Sequence, residues 1–221
     1  MKKGQLITFS GIDSAGKTTY IDLLVKEMKE KGMKHKVVWS RGGYTSGCEL
    51  AKKIARKILG KKLPEPGISE KRTKLLKDKN VSRLWYIMAV LDLIRLYGIT
   101  FRFYKLLGYT IIADRYFFYT LIDFLFMYEE DFLYKSILWK ILLKVYCRPN
   151  YSVLLYISPE TSLKRSEQKK ELYSETLTRR IERINRYISL KNKGVWEICV
   201  NTETAGIDIC WQTIKDKINR R

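Results

Sequence analysis

The chain is short of carboxylates. Its 43 Lys and Arg stand against 23 Asp and Glu, for a formal net charge of +20. It has one histidine, His35, and four cysteines, Cys48, Cys147, Cys199 and Cys210, with no C-x-x-C pair. That leaves a zinc site without a ligand set, and scattered cysteines in an intracellular chain read as buried thiols. Long hydrophobic runs are also missing. No stretch reaches about 18 uncharged apolar residues, so no membrane span is expected. The nearest, Phe117 to Tyr128, is short and contains Asp123. The start has two lysines and then a strand-like run, without the apolar stretch and cleavage site of a signal peptide; a cytoplasmic protein is expected. There is no internal repeat, no low-complexity tract and no block of five like charges.

What is present fits one globular domain over residues 1–221, with 46% hydrophobic and 30% charged residues. The positive charge has two readings. It serves an anionic partner, or it covers helix faces and keeps the chain dissolved. The scatter of the lysines favours the second, and no stable nucleic-acid complex is expected. The pattern predicts strands near 5–10, 36–39, 109–113, 151–157 and 195–200. Helices are predicted near 17–31, 49–59, 71–107 with a break near Gly98, 116–146, from 158, from the charged segment 164–175 to about 193, and 207–218. Ser158-Pro159 is a helix start, with a capping hydroxyl and proline at the first position. Strands alternating with helices imply an α/β fold: a five-stranded parallel sheet with helices on both faces and ligands at the strands' carboxyl ends. The apolar surplus of 116–146 leads us to expect a homodimer through helices.

Gly11-Ile12-Asp13-Ser14-Ala15-Gly16-Lys17-Thr18-Thr19 follows the first apolar run and precedes a helical pattern. G-x-x-x-x-G-K-T is the spacing of a phosphate-binding loop. Its glycines turn amides toward a phosphate chain, Lys17 reaches the terminal phosphates, and the Thr18 hydroxyl ligates Mg²⁺. The helix that follows points its N-terminus at the same anion. Such a loop binds a nucleoside triphosphate, with Gly11 to Thr19 as the binding segment. For Asp13 two readings stay open: contact with Mg²⁺ or the acceptor, or a brace within the loop. Asp114-Arg115 follows the third strand. The aspartate reads as a Mg²⁺ ligand through water, or as a base, and the arginine as a bidentate clamp for an acceptor phosphate. Residues 164–175 read as a basic lid carrying Lys164, Arg165, Lys169 and Lys170. Arg179, Arg180, Arg183 and Arg186 are expected to be mostly solvated, offset by Glu175 and Glu182. Of the aromatic residues, Tyr116 is the one expected to face a ligand.

Phe9 to Thr19, Ala113-Asp114-Arg115-Tyr116, Ser158 to Arg165 and Arg183 to Tyr187 together resemble thymidylate kinase and its relatives among the nucleoside monophosphate kinases. The resemblance covers most of the chain. It implies ATP and Mg²⁺ as cofactors and a small nucleotide-like acceptor. It also implies Arg115 and Arg41 on the acceptor phosphate, and Asp114 assisting metal and acceptor. Some relatives carry arginine where this chain has Ser14, so Arg165, Lys169 and Lys170 would supply the catalytic cation. Two segments depart from the family. Ser40 to Thr45 lacks the usual glutamate and proline. Met88 to Arg95 lacks the glutamine that reads thymine, leaving Asp92 and Arg95 as its polar residues. The expected activity is transfer of the γ-phosphoryl group of Mg-ATP to dTMP. A divergent kinase for another nucleotide, nucleoside or sugar-like acceptor is the alternative. A non-catalytic, nucleic-acid-contacting NTP-binding protein is the third reading.

Overall fold

Short apolar runs bounded by turns make a five-stranded, all-parallel sheet among the described residues of the computed structural model, which are 4–40, 78–170 and 175–219. The strands are β1 (Leu6–Ser10), β2 (His35–Trp39), β3 (Thr110–Asp114), β4 (Tyr151–Tyr156) and β5 (Ile198–Asn201), in the order β2-β3-β1-β4-β5. Every residue of β1 is buried, as expected of a central strand with both faces covered. Register places Phe9 beside Asp114, and Asp114 beside Trp39, so β1, β2 and β3 end together at one rim. The helices are α1 (Lys17–Glu30), α2 (Lys79–Leu93), α3 (Phe101–Leu106), α4 (Phe117–Leu125), α5 (Glu130–Lys135), α6 (Ile137–Val145), α7 (Pro159–Gln168), α8 (Leu177–Asn192) and α9 (Ile207–Asn219). The helix expected over 49–59 and most of the 40–45 segment lie outside the described residues.

The chain divides into two compact units. The first comprises Met1–Trp39, Phe103–Ile122 and Arg148–Arg221 and holds the whole sheet. There α1 packs on β1 and β3 through Tyr20, Ile21, Leu24 and Met28, which recur at helical spacing. Gly32, at φ 60, stops the chain after α1. Ser158 caps α7 by accepting from the Thr161 amide at 3.2 Å, with Pro159 in the first turn.

The second unit comprises Ser40–Arg102 and Asp123–Cys147. Asp78 caps α2 by accepting from the amides of Asn80 and Val81. The core is aromatic: Tyr86 meets Tyr128 and Phe132 at 5.2 and 5.1 Å, and Phe124 meets the fully buried Trp139 at 5.5 Å. Truncating Trp139 to alanine would cost about 3–5 kcal/mol. The predicted break near Gly98 is a π turn, Ile94–Thr100, and the helix runs on through it. A Cβ on Gly98 would sit 3.1 Å from Val145 Cγ2, so close packing selects glycine there. The Tyr97 carbonyl freed by the wider turn accepts from the Cys147 amide at 3.1 Å, and Arg102 donates to the Gly98 and Val145 carbonyls. Residues 116–146, expected to be largely helical, form three helices parted at 126–129 and at Ser136. The 28-residue stretch Lys79–Leu106 is long and apolar enough to cross a membrane by composition alone, yet half of its most apolar window is buried, as in a core helix.

Candidate active site

The rim at the carboxyl ends of β1 and β3 gathers the loop, Asp114 and Arg115. Gly11, at φ 142, cannot be replaced: a Cβ there would lie 2.2 Å from the Leu155 carbonyl oxygen. Gly16, at φ 89, opens α1, and no side chain caps the first turn. The positive end of the helix thus carries no side-chain cap at the rim.

Lys17 is 6% exposed and donates to the carbonyls of Gly11 and Ile12 at 3.0 and 2.7 Å. Burial, reinforced by the Arg115 charge, lowers its pKa to about 8. Thr18 and Thr19 are exposed beside it. Asp114 ends β3, and its Oδ1 is buried with no hydrogen-bond partner. A cavity of about 190 Å³ is lined by Asp13, Ser14, Gly16 to Thr19, Asp114, Arg115 and Lys169.

Arg115 sits at φ 64, a left-handed backbone conformation uncommon for a residue with a side chain. Its Nη1 donates to the Tyr119 hydroxyl at 2.7 Å, and its Nη2 to Asp13 Oδ1 at 2.5 Å. The guanidinium also lies over the Tyr119 ring at 4.6 Å and the Trp39 ring at 5.7 Å. Asp13 thus anchors the arginine from inside the loop.

The other expected site residues fall in three places. Lys169 reaches the cavity wall, and the neighbouring Lys170 adopts φ 51. Arg165 instead braces the loop, donating to the Thr202 carbonyl at 3.0 Å and to the Ser14 carbonyl at 3.5 Å. Tyr116 is 3% exposed and does not line the cavity. Asp92 and Arg95 belong to the second unit, where both Nε and Nη2 of Arg95 donate to Asp92 Oδ1 at 3.1 and 2.8 Å. Arg41 and residues 171–174 of the expected lid lie outside the described residues. Among the described residues no three His, Cys, Asp or Glu side chains group into a metal cluster.

One expectation is corrected. Arg180 and Arg183 are not solvated; they are 0% and 2% exposed. Arg180 donates to Ser162 Oγ, to Ser166 Oγ at 2.9 Å and to the Glu175 carbonyl at 3.0 Å. Those two serines hold the phosphate loop: Ser162 Oγ donates to the Asp13 carbonyl at 2.7 Å, and Ser166 Oγ lies 3.0 Å from Ser14 Oγ. Arg183 forms a bidentate pair with the Glu175 carboxylate at 2.7 and 3.1 Å and lies 5.0 Å from the centre of the same Tyr119 ring that Arg115 uses. A closed circuit results, from loop to serines to arginines to Tyr119 to Arg115 and back to Asp13. The signal was in the sequence. Arg180, Arg183, Ile184 and Tyr187 share one helical stripe, and its apolar members are buried. Thr202 adds a further tie, donating to the Ala15 carbonyl at 2.9 Å.

No family model and no curated protein matches the sequence. Solved structures do match. The thymidylate kinase of Candida albicans superposes with a TM-score of 0.64 at 15% identity, over 100% of this chain and 93% of that one. The thymidylate kinase of Ehrlichia chaffeensis superposes at 0.55 and 15% identity, over 98% of each chain. The chain has the thymidylate kinase fold. Its parallel sheet with flanking helices, read from strand and helix alternation, is therefore that of the expected class.

Proposed function

We propose that this chain is a Mg²⁺- and ATP-dependent kinase that moves the γ-phosphoryl group to a nucleotide, dTMP being the first acceptor to test. The observation that carries the reading is the convergence, on one cavity, of the loop before α1, a buried lysine, an unsatisfied carboxylate oxygen and a held arginine. The residues fit the cofactor. The cavity is lined by Gly16, Lys17, Thr18 and Asp114, and Asp114 Oδ1 lacks the partner that a hydrated magnesium would give it.

Lys17 and the amides of residues 13 to 18 would hold the donor phosphates, and Thr18 with Asp114 would hold the metal. Magnesium would supply charge neutralisation at the phosphates. Lys17 would exchange its two carbonyl partners for phosphate oxygens. The exchange would replace neutral acceptors with anionic ones and add attraction between opposite charges in a half-closed site. Arg115 would orient the acceptor phosphate from a position fixed by Asp13 and Tyr119. Lys169, at the cavity wall, would offer charge to the transferring group in place of the arginine absent at position 14. Because phosphoryl transfer needs positioning and charge more than covalent chemistry, these cations suffice in kind.

Broad substrate specificity is a property of the Candida albicans enzyme. In the present chain the segment Met88 to Arg95 offers Asp92, tied to Arg95, in place of a glutamine. That supports an acceptor other than dTMP as the second reading. The test is ADP release across nucleoside monophosphates, nucleosides and phosphorylated sugars. Turnover of dTMP above the others supports the first reading, turnover led by another acceptor supports the second, and turnover of none ends both.

A further inference from the structure

The rim opposite the candidate active site, at the amino ends of β2 and β3, has a character of its own. The end of α3 and the turn that follows project Leu106, 86% exposed, with Phe103 and Leu107 at 58% and 50%. Large apolar side chains grouped this openly within five residues mark a surface that meets a partner or a membrane. Around them stand Lys34, Lys36 and Lys105. Lys36 Nζ donates to the Tyr104 hydroxyl at 2.8 Å and lies over that ring at 4.3 Å; Lys34 lies over the Tyr109 ring at 5.8 Å; Lys105 Nζ donates to Asn150 Oδ1 at 3.2 Å. These contacts tie three segments into one surface. The Thr110 amide, bonded to the Lys34 carbonyl at 2.8 Å, fixes the first two backbones together.

All three segments are devoid of acid. No Asp or Glu occurs between Glu30 and Glu49, between Asp92 and Asp114, or between Asp131 and Glu160. A scattered excess of lysine would leave carboxylates among the cations, and this surface has none from its own strands and turns. We propose that this rim docks on the surface of an anionic lipid bilayer. Leu106, Leu107 and Phe103 would enter the boundary of headgroups and acyl chains, with the lysines on the lipid phosphates.

Two other occupants fit the rim less well. A single-stranded nucleic acid would want open aromatic faces, but Tyr104 and Tyr109 pack on each other at 5.8 Å and carry lysines on their rings, and a duplex held through its phosphates would leave Leu106 uncovered. A second copy of the chain, meeting this rim across a two-fold axis, would bring lysines against lysines. A bilayer takes the aliphatic tip and the positive ring together. Docking there leaves the phosphate-loop rim, at the other ends of the same strands, facing water.

The test is flotation of the full chain with vesicles of phosphatidylcholine alone, and of phosphatidylcholine with phosphatidylglycerol in equal parts. Binding is expected only to the anionic vesicles and should fall at high salt. Leu106→Glu should weaken it at least about tenfold, by removing inserted apolar area and adding a repelled charge. Lys34→Glu with Lys36→Glu should weaken it at least about 30-fold. Circular dichroism and ADP release by these variants should match the parent protein, whatever acceptor is turned over. No binding to anionic vesicles overturns the proposal, as does binding that Leu106→Glu leaves intact. Retention by single-stranded DNA that Leu106→Glu does not change, without vesicle binding, assigns the rim to nucleic acid instead. A dimer in sedimentation that Leu106→Glu splits assigns it to a second copy.

Discussion

Arg115 and Asp13 face each other at 2.5 Å, so the cation proposed for the acceptor phosphate is already held by the loop proposed for the donor. The two halves of the site share this ion pair. An arriving dianionic group must compete with one carboxylate for the guanidinium.

Arg115→Ala is therefore expected to raise the acceptor KM about 10- to 100-fold, the range for losing charged hydrogen bonds. ATP binding should stay close to its parent value. Steady-state kinetics with each substrate varied in turn reads the split. Equal losses on both substrates would remove the acceptor role.

Lys17 gives a pH signature. Its pKa of about 8 in the folded chain lies below its ordinary 10.5. A triphosphate would need it charged, so binding above that value takes up a proton. The affinity for ATP should fall about tenfold per pH unit above pH 8, and proton uptake should approach one near pH 9. Calorimetry in buffers of different protonation enthalpy measures the uptake. For stability without ligand the sign is the reverse. Between about 8 and 10.5 the unfolded chain holds a proton that the native one has lost, so stability should rise with pH across that window. Lys17→Ala should abolish turnover while relieving the burial cost.

Arg180 and Glu175 test the buried circuit. Glu175→Gln leaves Arg183 buried beside a neutral amide and should cost about 3–5 kcal/mol. Arg180→Met removes the donor to Ser162 and Ser166 and should cost about 1–3 kcal/mol. It should also weaken ATP binding, because those serines hold Asp13 and Ser14. Denaturant titration alongside ATP affinity separates the two effects. An Arg180→Met protein of parental stability and parental affinity would contradict the account.

Gly11→Ala has a simpler expectation. The added methyl would sit 2.2 Å from the Leu155 carbonyl oxygen at a φ that favours glycine. The loop must move, so ATP binding should be lost even where thermal unfolding still shows a folded protein.

The sheet and the phosphate loop are legible in the sequence because their signals are local. A short apolar run, a glycine spacing and a lysine at fixed offset lie within a few residues of one another. Ser158 and Pro159 announce α7 for the same reason. Partners far apart in the chain leave no such signal. Asp13 and Arg115 are 102 residues apart, and Ser162 and Asp13 are 149 apart. Arg180 and Arg183 mislead because a charge on a helix is ordinarily solvated. Their stripe with Ile184 and Tyr187 weighs less, on sequence, than their type. A break near Gly98 is legible, but the close approach of Val145, on another helix, is not.

Arg115 also holds a backbone conformation that suits glycine better, at φ 64. Such a turn costs an ordinary residue about 1–2 kcal/mol. Arg115→Gly should accordingly melt at a higher temperature than Arg115→Ala, although both lose the guanidinium. The protein gives up a little resistance to heat at this corner to keep its cation where the substrates would meet.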